Sequence, residues 1–160
     1  MMEKAMRRFR QQLSADECTA ILHSATSGVL SLCGADMQPY GVPLSHVYYS
    51  GKLYFHSAVN GHKLELIKEN SNVSFTIISK DEIHPEKYTT YFKSVIAFGK
   101  IRVVEDEEEK LGILEILGRR CNPHDRDSLA NEIAKGARNC VALEMSIDRI
   151  SGKQAIELVK

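Results

Sequence analysis

The sequence predicts a mainly β protein, a small antiparallel barrel of six or seven strands with helices at its periphery. Three observations carry that expectation. Segments rich in β-branched and aromatic residues recur along the whole chain, several of them with period-two alternation. Ser50-Gly51 stands between two such segments, in VYYSGKLYF, a strong hairpin signal. Helical patterns fall irregularly between the strands rather than after each one, which excludes repeated βαβ units and a doubly wound sheet.

Residues 1–12 are charged and amide-rich and form an arm that lies on the surface or on a partner subunit. Ser14-Ala15-Asp16-Glu17 is a capping box: the Ser14 hydroxyl caps a helix start and Glu17 reaches back. Leu13 can staple to Cys18, and Cys18, Ile21, Leu22 and Ala25 make one buried stripe, with Gly28 closing the helix. A short strand, Val29 to Cys33, and a turn, Gly34 to Gln38, lead into a single strand from Tyr40 to Tyr49. Pro43 lies in its middle. Proline has no N–H, so it belongs at an edge or a bulge. Two readings stand: an edge protected from further pairing, or a break that turns neighbouring backbone groups toward a ligand.

After the turn, Lys52 to Ser57 alternates Leu53, Phe55 and Ser57 on one face with Tyr54 and His56 on the other. A helix over residues 62–69 carries Leu64, Leu66 and Ile67, and Val73 to Ser79 is the next strand. Residues 80–88 read as a charged loop containing Pro85, followed by the longest strand, Thr89 to Val104, with a bend or bulge at Gly99. Asp106 to Glu109 is an acidic helix start, favourable to the macrodipole, and Asn122-Pro123 ends that helix. A weakly apolar helix, Ser128 to Ala137, lies on the surface, and Cys140 to Ile147 and Ala155 to Val159 are strands joined by Arg149 to Lys153.

With 160 residues, 43% of them hydrophobic and 26% charged, the chain is expected to form one domain over 1–160 with a real core. Acidic and basic residues balance at 21 each, so nothing steers it to nucleic acid or an anionic membrane. No apolar segment follows the basic N-terminus and no run approaches the roughly 20 apolar residues of a membrane span, which points to the cytoplasm. Cysteines at 18, 33, 121 and 140 lack metal or redox spacing and read as reduced and packed.

Chemistry concentrates in Ser57-Ala58-Val59-Asn60-Gly61-His62-Lys63. A helix start carries unpartnered N–H groups and partial positive charge. The Ser57 hydroxyl, a close-approach backbone at Gly61 and the Lys63 cation would together hold a phosphate. The alternative is an ordinary solvated loop. The spacing is not that of a Walker loop, and GxSxG, HExxH and a dinucleotide loop are absent. No catalytic residue is identified and no metal set: Glu105 to Glu109 reads as a surface helix turn, and His46 and His56 as lone strand histidines.

Val42-Pro43-Leu44, Val47-Tyr48, Gly51, Leu53 through Ala58, Gly61 and Lys63-Leu64 together resemble the pyridoxamine 5′-phosphate oxidase-related flavin-binding superfamily. The likeness is closest to its Nim-type 5-nitroimidazole-resistance branch. Met6-Arg7-Arg8, the Tyr91-x-x-Ser94-Val95-Ile96-x-Phe98-Gly99 strand and Ile150-Ser151-Gly152-Lys153 fit as well, so the likeness runs through almost the whole chain. It implies a split β-barrel working as a homodimer, with FMN (FAD is possible) in the groove between subunits.

On that resemblance, backbone groups of Val42, Pro43 and Leu44 meet the polar edge of the flavin ring. His56, Ser57 and Ala58 run along the ribityl chain and phosphate, and His62 and Lys63 offset the phosphate charge. Tyr91, Ser94 and Val95 would come from the second subunit, although Tyr91 also reads as a plain core or interface aromatic. The expected activity is reduction of a small acceptor, such as a 5-nitroimidazole nitro group, by reduced flavin. Two alternatives stay open: a flavin-storage or flavin-sensing protein without turnover, and a haem-binding split barrel with His46 or His56 on the iron. Lys63 is the lone clear cation beside the loop and the chain ends without a basic clamp, which argues against oxidation of pyridoxamine phosphate itself.

Overall fold

The computed structural model describes residues 6–159. Its strands are β1 (Ser27–Cys33), β2 (Pro39–Ser45), β3 (Val47–Tyr49), β4 (Lys52–Ala58), β5 (Asn72–His84), β6 (Thr89–Val103) and β7 (Cys140–Gln154). Its helices are α1 (Ala15–Ser24), α2 (His62–Glu69), α3 (Glu107–Cys121) and α4 (Arg126–Gly136). The strands form one antiparallel sheet of seven in the order β2-β1-β5-β6-β7-β4-β3.

That order decides the shape. β2 and β3 are separated in the chain by His46 alone, yet they are the two opposite edges of the sheet. Consecutive Cα atoms stand about 3.8 Å apart, so the edges must meet at His46 and the sheet must roll up. The ladder nevertheless stays open. β3 pairs with β4 only from Tyr49↔Lys52 to Val47↔Tyr54. Continued past His46, the same register would set Ser45 opposite His56 and Leu44 opposite Ser57, and neither pair is made. The molecule is a split barrel, with its seam between β2 and the end of β4. The sequence reading of one strand from Tyr40 to Tyr49 is thus corrected to two, and Pro43 does lie on an edge strand.

Inside the barrel, Leu22 of α1 packs among Leu30, Phe55, Phe75, Val95 and Met145, all essentially sealed from solvent. The capping box forms as read: Glu17 N donates to Ser14 Oγ and Ser14 N to Glu17 Oε2, at 3.2 and 2.9 Å. Ser50 and Gly51 both take positive φ (48° and 81°), the mirror-image turn that a two-residue hairpin needs. Outside the barrel, Tyr54 and Ala142 meet Val104, Ile113 and Leu117 in a second cluster under α3. Glu144, buried beside it, accepts hydrogen bonds from Lys52 Nζ and Arg102 Nε, each at 3.0 Å, and Arg102 also pairs with Glu109 of α3.

Three further expectations change. Gly28 does not close α1, which ends at Ser24; it sits in β1, where an added Cβ would fall 2.5 Å from the Thr76 carbonyl oxygen and 2.7 Å from the Phe75 ring. Residues 80–88 are not mainly loop: β5 continues to His84 and pairs with β6 from Lys80↔Lys93 to His84↔Thr89. β7 runs unbroken through Arg149 to Lys153, and Ile156–Leu158 beyond it is a short 3₁₀ turn rather than a strand. Of the arm, Gln12 bridges Lys153 of the same barrel, and Leu13 N just past it donates to Gly152 O at 3.0 Å; residues 1–5 lie outside the described residues. Gly99 does mark a bulge. Phe98 faces Arg149 and Gly99 faces Ile147, so Asp148 is the extra residue, and a Cβ at Gly99 would run into the Ser146 carbonyl.

Candidate functional site

The seam leaves backbone and side chains without partners. His56, Ser57 and Ala58 pair with Ala142, Val141 and Cys140 of β7, while their other edge faces β2 across the opening. Ser57 is buried, and its hydroxyl makes no hydrogen bond among the described residues. Three residues past β4 the chain turns through Gly61, at φ 139° and ψ 158°, a conformation that L side chains rarely adopt. Gly61 is the N-cap of α2, and no side chain caps this helix.

Lys63 lies in that uncapped first turn. It is half-buried, and no acidic group among the described residues pairs with it. Burial without a counter-charge pulls its ammonium below the usual lysine range. His62 beside it has Nδ1 at 3.3 Å from Glu65 Oε2, and its ring meets Tyr40 edge-on at 5.1 Å between centroids. That ring contact joins the start of α2 to β2, so the stretch holding Val42, Pro43 and Leu44 borders the same opening. Val42 and Leu44 turn inward against the core while Pro43 faces out.

Tyr91, Ser94 and Val95 are not brought to this opening within one chain. Tyr91 stacks on His84 at 3.8 Å, and its hydroxyl accepts a hydrogen bond from Lys87 Nζ at 2.7 Å near the β5–β6 tip. Ser94 stands between Ile78 and Lys153 in the ladders. Val95 is fully buried in the barrel core, so its side chain has no outward face. Around Ser94 the outer side of the sheet is apolar and uncovered, with Ile78 70% and Val29 38% exposed.

A feature the sequence reading missed lies on the other face of β4. A cavity of about 450 Å3 runs between the barrel and the α3–α4 pair, walled by Leu114, Leu117, Leu129 and Ile133 and reaching the seam at Ser45 and His56. α4 lies on the surface, as read, and its half-buried Leu129 and Ile133 also wall this cavity. It rests on α3 where Gly118 admits Leu129, a contact that any Cβ at 118 would block. Glycine within a helix was the available signal. His46 also borders the cavity. Its Nε2 lies 3.1 Å from the Leu22 carbonyl, which can only accept, so Nε2 carries the hydrogen and buried Nδ1 remains an acceptor without a partner. Burial keeps this imidazole neutral by lowering its pKa. Asp106 caps α3, accepting from Glu109 N at 2.8 Å, so the acidic run is a helix start; among the described residues no group of His, Cys, Asp and Glu is placed to hold a metal. No described helix is long and apolar enough to cross a membrane.

Comparison with known proteins agrees with this architecture. A candidate 5-nitroimidazole antibiotic resistance protein from Bacteroides thetaiotaomicron superposes with a TM-score of 0.74 at 25% identity, over 89% of this chain and 86% of that one. An FAD-binding protein from Mesorhizobium loti gives 0.62 at 28% identity, over 91% and 97%. A conserved hypothetical protein from Mycobacterium tuberculosis gives 0.81 at 17% identity, over 96% and 92%, a likeness of fold. No curated protein matches. Residues 14–154, nearly the whole barrel, match the pyridoxamine 5′-phosphate oxidase family, and the chain is a member of that family.

Proposed function

We propose that this protein is a flavin-dependent oxidoreductase that reduces a small acceptor, such as the nitro group of a 5-nitroimidazole, and works as a homodimer with the flavin in the groove between subunits. The observation that carries this reading is Lys63, a half-buried ammonium without a counter-ion among the described residues, in the uncapped first turn of α2. That turn follows the end of β4 that carries Ser57, whose hydroxyl makes no hydrogen bond among the described residues. A phosphate carries nearly two negative charges, and these groups offer it what burial would otherwise take away. A flavin, when bound, supplies the electron chemistry itself. The chain's task is to hold and orient it: Lys63 and Ser57 at the phosphate, the Val42–Leu44 edge at the ring, and the apolar seam excluding water. The exposed Val29 and Ile78 on the outer sheet face suit burial against a second copy, which would bring Tyr91 and Ser94 to the groove. The resistance-protein and FAD-binding relatives support the same reading.

His46 does not suit a haem iron, because one ring nitrogen is spent on Leu22 O and the other is sealed from solvent, which leaves exposed His56 as the ligand a haem reading would need. The test is an absorption spectrum of the purified protein with mass analysis of the released chromophore. A yellow dimer is expected, its colour bleached by dithionite and restored by a 5-nitroimidazole. A colourless monomer indifferent to FMN and FAD would end this reading, and a colour that no nitro compound restores would remove the acceptor from it.

A further inference from the structure

The cavity between β4 and the α3–α4 pair is separate from the phosphate cradle. Side chains alternate across a strand, so His56 faces the cavity while Ser57 faces the opposite side of β4. Neither Ser57 nor Lys63 borders the cavity, yet Ser45 and His56 place its inner end at the seam. Most of the wall surface is apolar, from Val47, Leu114, Leu117, Leu129, Ile133 and Ala137, a lining that admits an uncharged ring. Polar groups interrupt it, among them His46, His56, Glu132 and Arg120, and backbone oxygens hold Arg120 in place. Arg120 is anchored by Nη2, which donates to the His23 and Ser24 carbonyls at 3.2 and 2.9 Å, leaving the rest of a planar guanidinium to meet oxygen atoms. A volume of about 450 Å3 suits a single substituted ring and lies within the range of small-molecule sites.

We infer that this cavity is the acceptor site, binding a flat, uncharged aromatic molecule whose oxygen-bearing substituent is directed to Arg120. The inference rests on the flavin reading for what happens at the seam, but the binding itself can be measured apart from it. Gly136 supplies the tool. It borders the cavity, an added Cβ would meet nothing within 4 Å, and its φ of −94° accommodates any side chain. Gly136→Leu therefore sets a bulky side chain at the cavity's rim with little disturbance of the fold.

Metronidazole is the probe, titrated calorimetrically into the oxidised, flavin-loaded protein. Gly136→Leu is expected to weaken its binding by at least about tenfold and to leave flavin affinity unchanged. In the wild type, saturating metronidazole should also protect Cys140, which borders the cavity half-buried, from alkylation by iodoacetamide, read by peptide mass. This second measurement needs no variant. Equal metronidazole affinity in both proteins, no binding to the wild type, or unprotected Cys140 would each overturn the inference. So would loss of flavin binding in a folded Gly136→Leu protein, since the ring of the flavin would then occupy the cavity. If the purified chain takes up no flavin, the flavin reading fails by itself, and the same two measurements on the flavin-free protein still decide whether the cavity binds the ring.

Discussion

Lys63→Met removes the charge at the centre of the candidate site while keeping most of the aliphatic stem. Two unit charges about 4 Å apart at an effective dielectric of about 20 attract by about 4 kcal/mol. Part of that is offset by desolvation, and charge-assisted hydrogen bonds measured by mutation are worth about 1.5–3 kcal/mol. The substitution should therefore raise the Kd for FMN by about 10- to 150-fold. The structure adds a second expectation that separates a binding role from a structural one. In the flavin-free protein the Lys63 ammonium is partly desolvated with no counter-charge, so its removal relieves a cost. Thermal stability of flavin-free Lys63→Met should equal or exceed that of the wild type. Titration of FMN by fluorescence quenching and thermal unfolding without ligand supply the two readouts. A variant that binds FMN as tightly as the wild type, or one whose flavin-free form melts lower, would refute the assignment of Lys63 to the phosphate.

The remaining expectations follow from other parts of the structure. Because the Lys63 pKa is lowered, its charge disappears at a lower pH than an ordinary lysine's, so FMN affinity should decline as pH rises into the alkaline range; Lys63→Arg, whose charge is permanent, should flatten that decline in a pH series of titrations. Burial pushes the Glu144 carboxyl up, but hydrogen bonds from Lys52 and Arg102 outweigh it and hold the pKa below the usual range. Its stabilisation is therefore whole above the unfolded-state pKa and lost as pH falls through the folded-state value. Glu144→Gln should cost about 2 kcal/mol at neutral pH in urea unfolding, with the gap to the wild type closing in acid. Gly99→Ala forces a methyl against the Ser146 carbonyl at the bulge and should destabilise by about 1–3 kcal/mol, read as a lower urea midpoint with m unchanged.

What was legible in the sequence was local. The capping box at Ser14, the positive-φ turn at Ser50-Gly51 and the span of α2 are each decided within a few residues, and each forms where the residues placed it. The misread elements are those decided by distant partners. Gly28 looks like a helix stop until Phe75 and Thr76 close on it across the sheet. The charged run 80–88 looks like a loop because a hairpin projecting beyond the barrel has water on both faces and loses its apolar alternation. Nothing around His46 announces that the chain passes there from one edge of the sheet to the other. Within the site, Ser57, Gly61 and Lys63 could be read from helix-start chemistry, whereas the cavity under α4 depends on how Gly118 lets two helices approach. Val95 shows the reverse. The alternation that buries Val95, Ala97 and Ile101 was already visible in the strand, and it places that side chain in the core.

The open seam and the candidate site have one physical origin. Carrying the β3–β4 register across His46 would lay Pro43 beside Ala58. Proline has no N–H to give, so a ladder extended that far would gain no hydrogen bond from Pro43 to β4. Barrel closure is thus disfavoured at the residues bordering the unpartnered Ser57 hydroxyl and the uncapped start of α2. Backbone groups on the free edge of β4 must then be satisfied by water, by a ligand or by a second chain, since leaving them buried and unpaired costs about as much as a lost hydrogen bond each. The proposed flavin would meet those groups where water otherwise must. In that proposal its phosphate would answer Lys63, its hydroxyl-bearing chain the free edge of β4, and its ring would lie along the β2 edge at Val42 to Leu44.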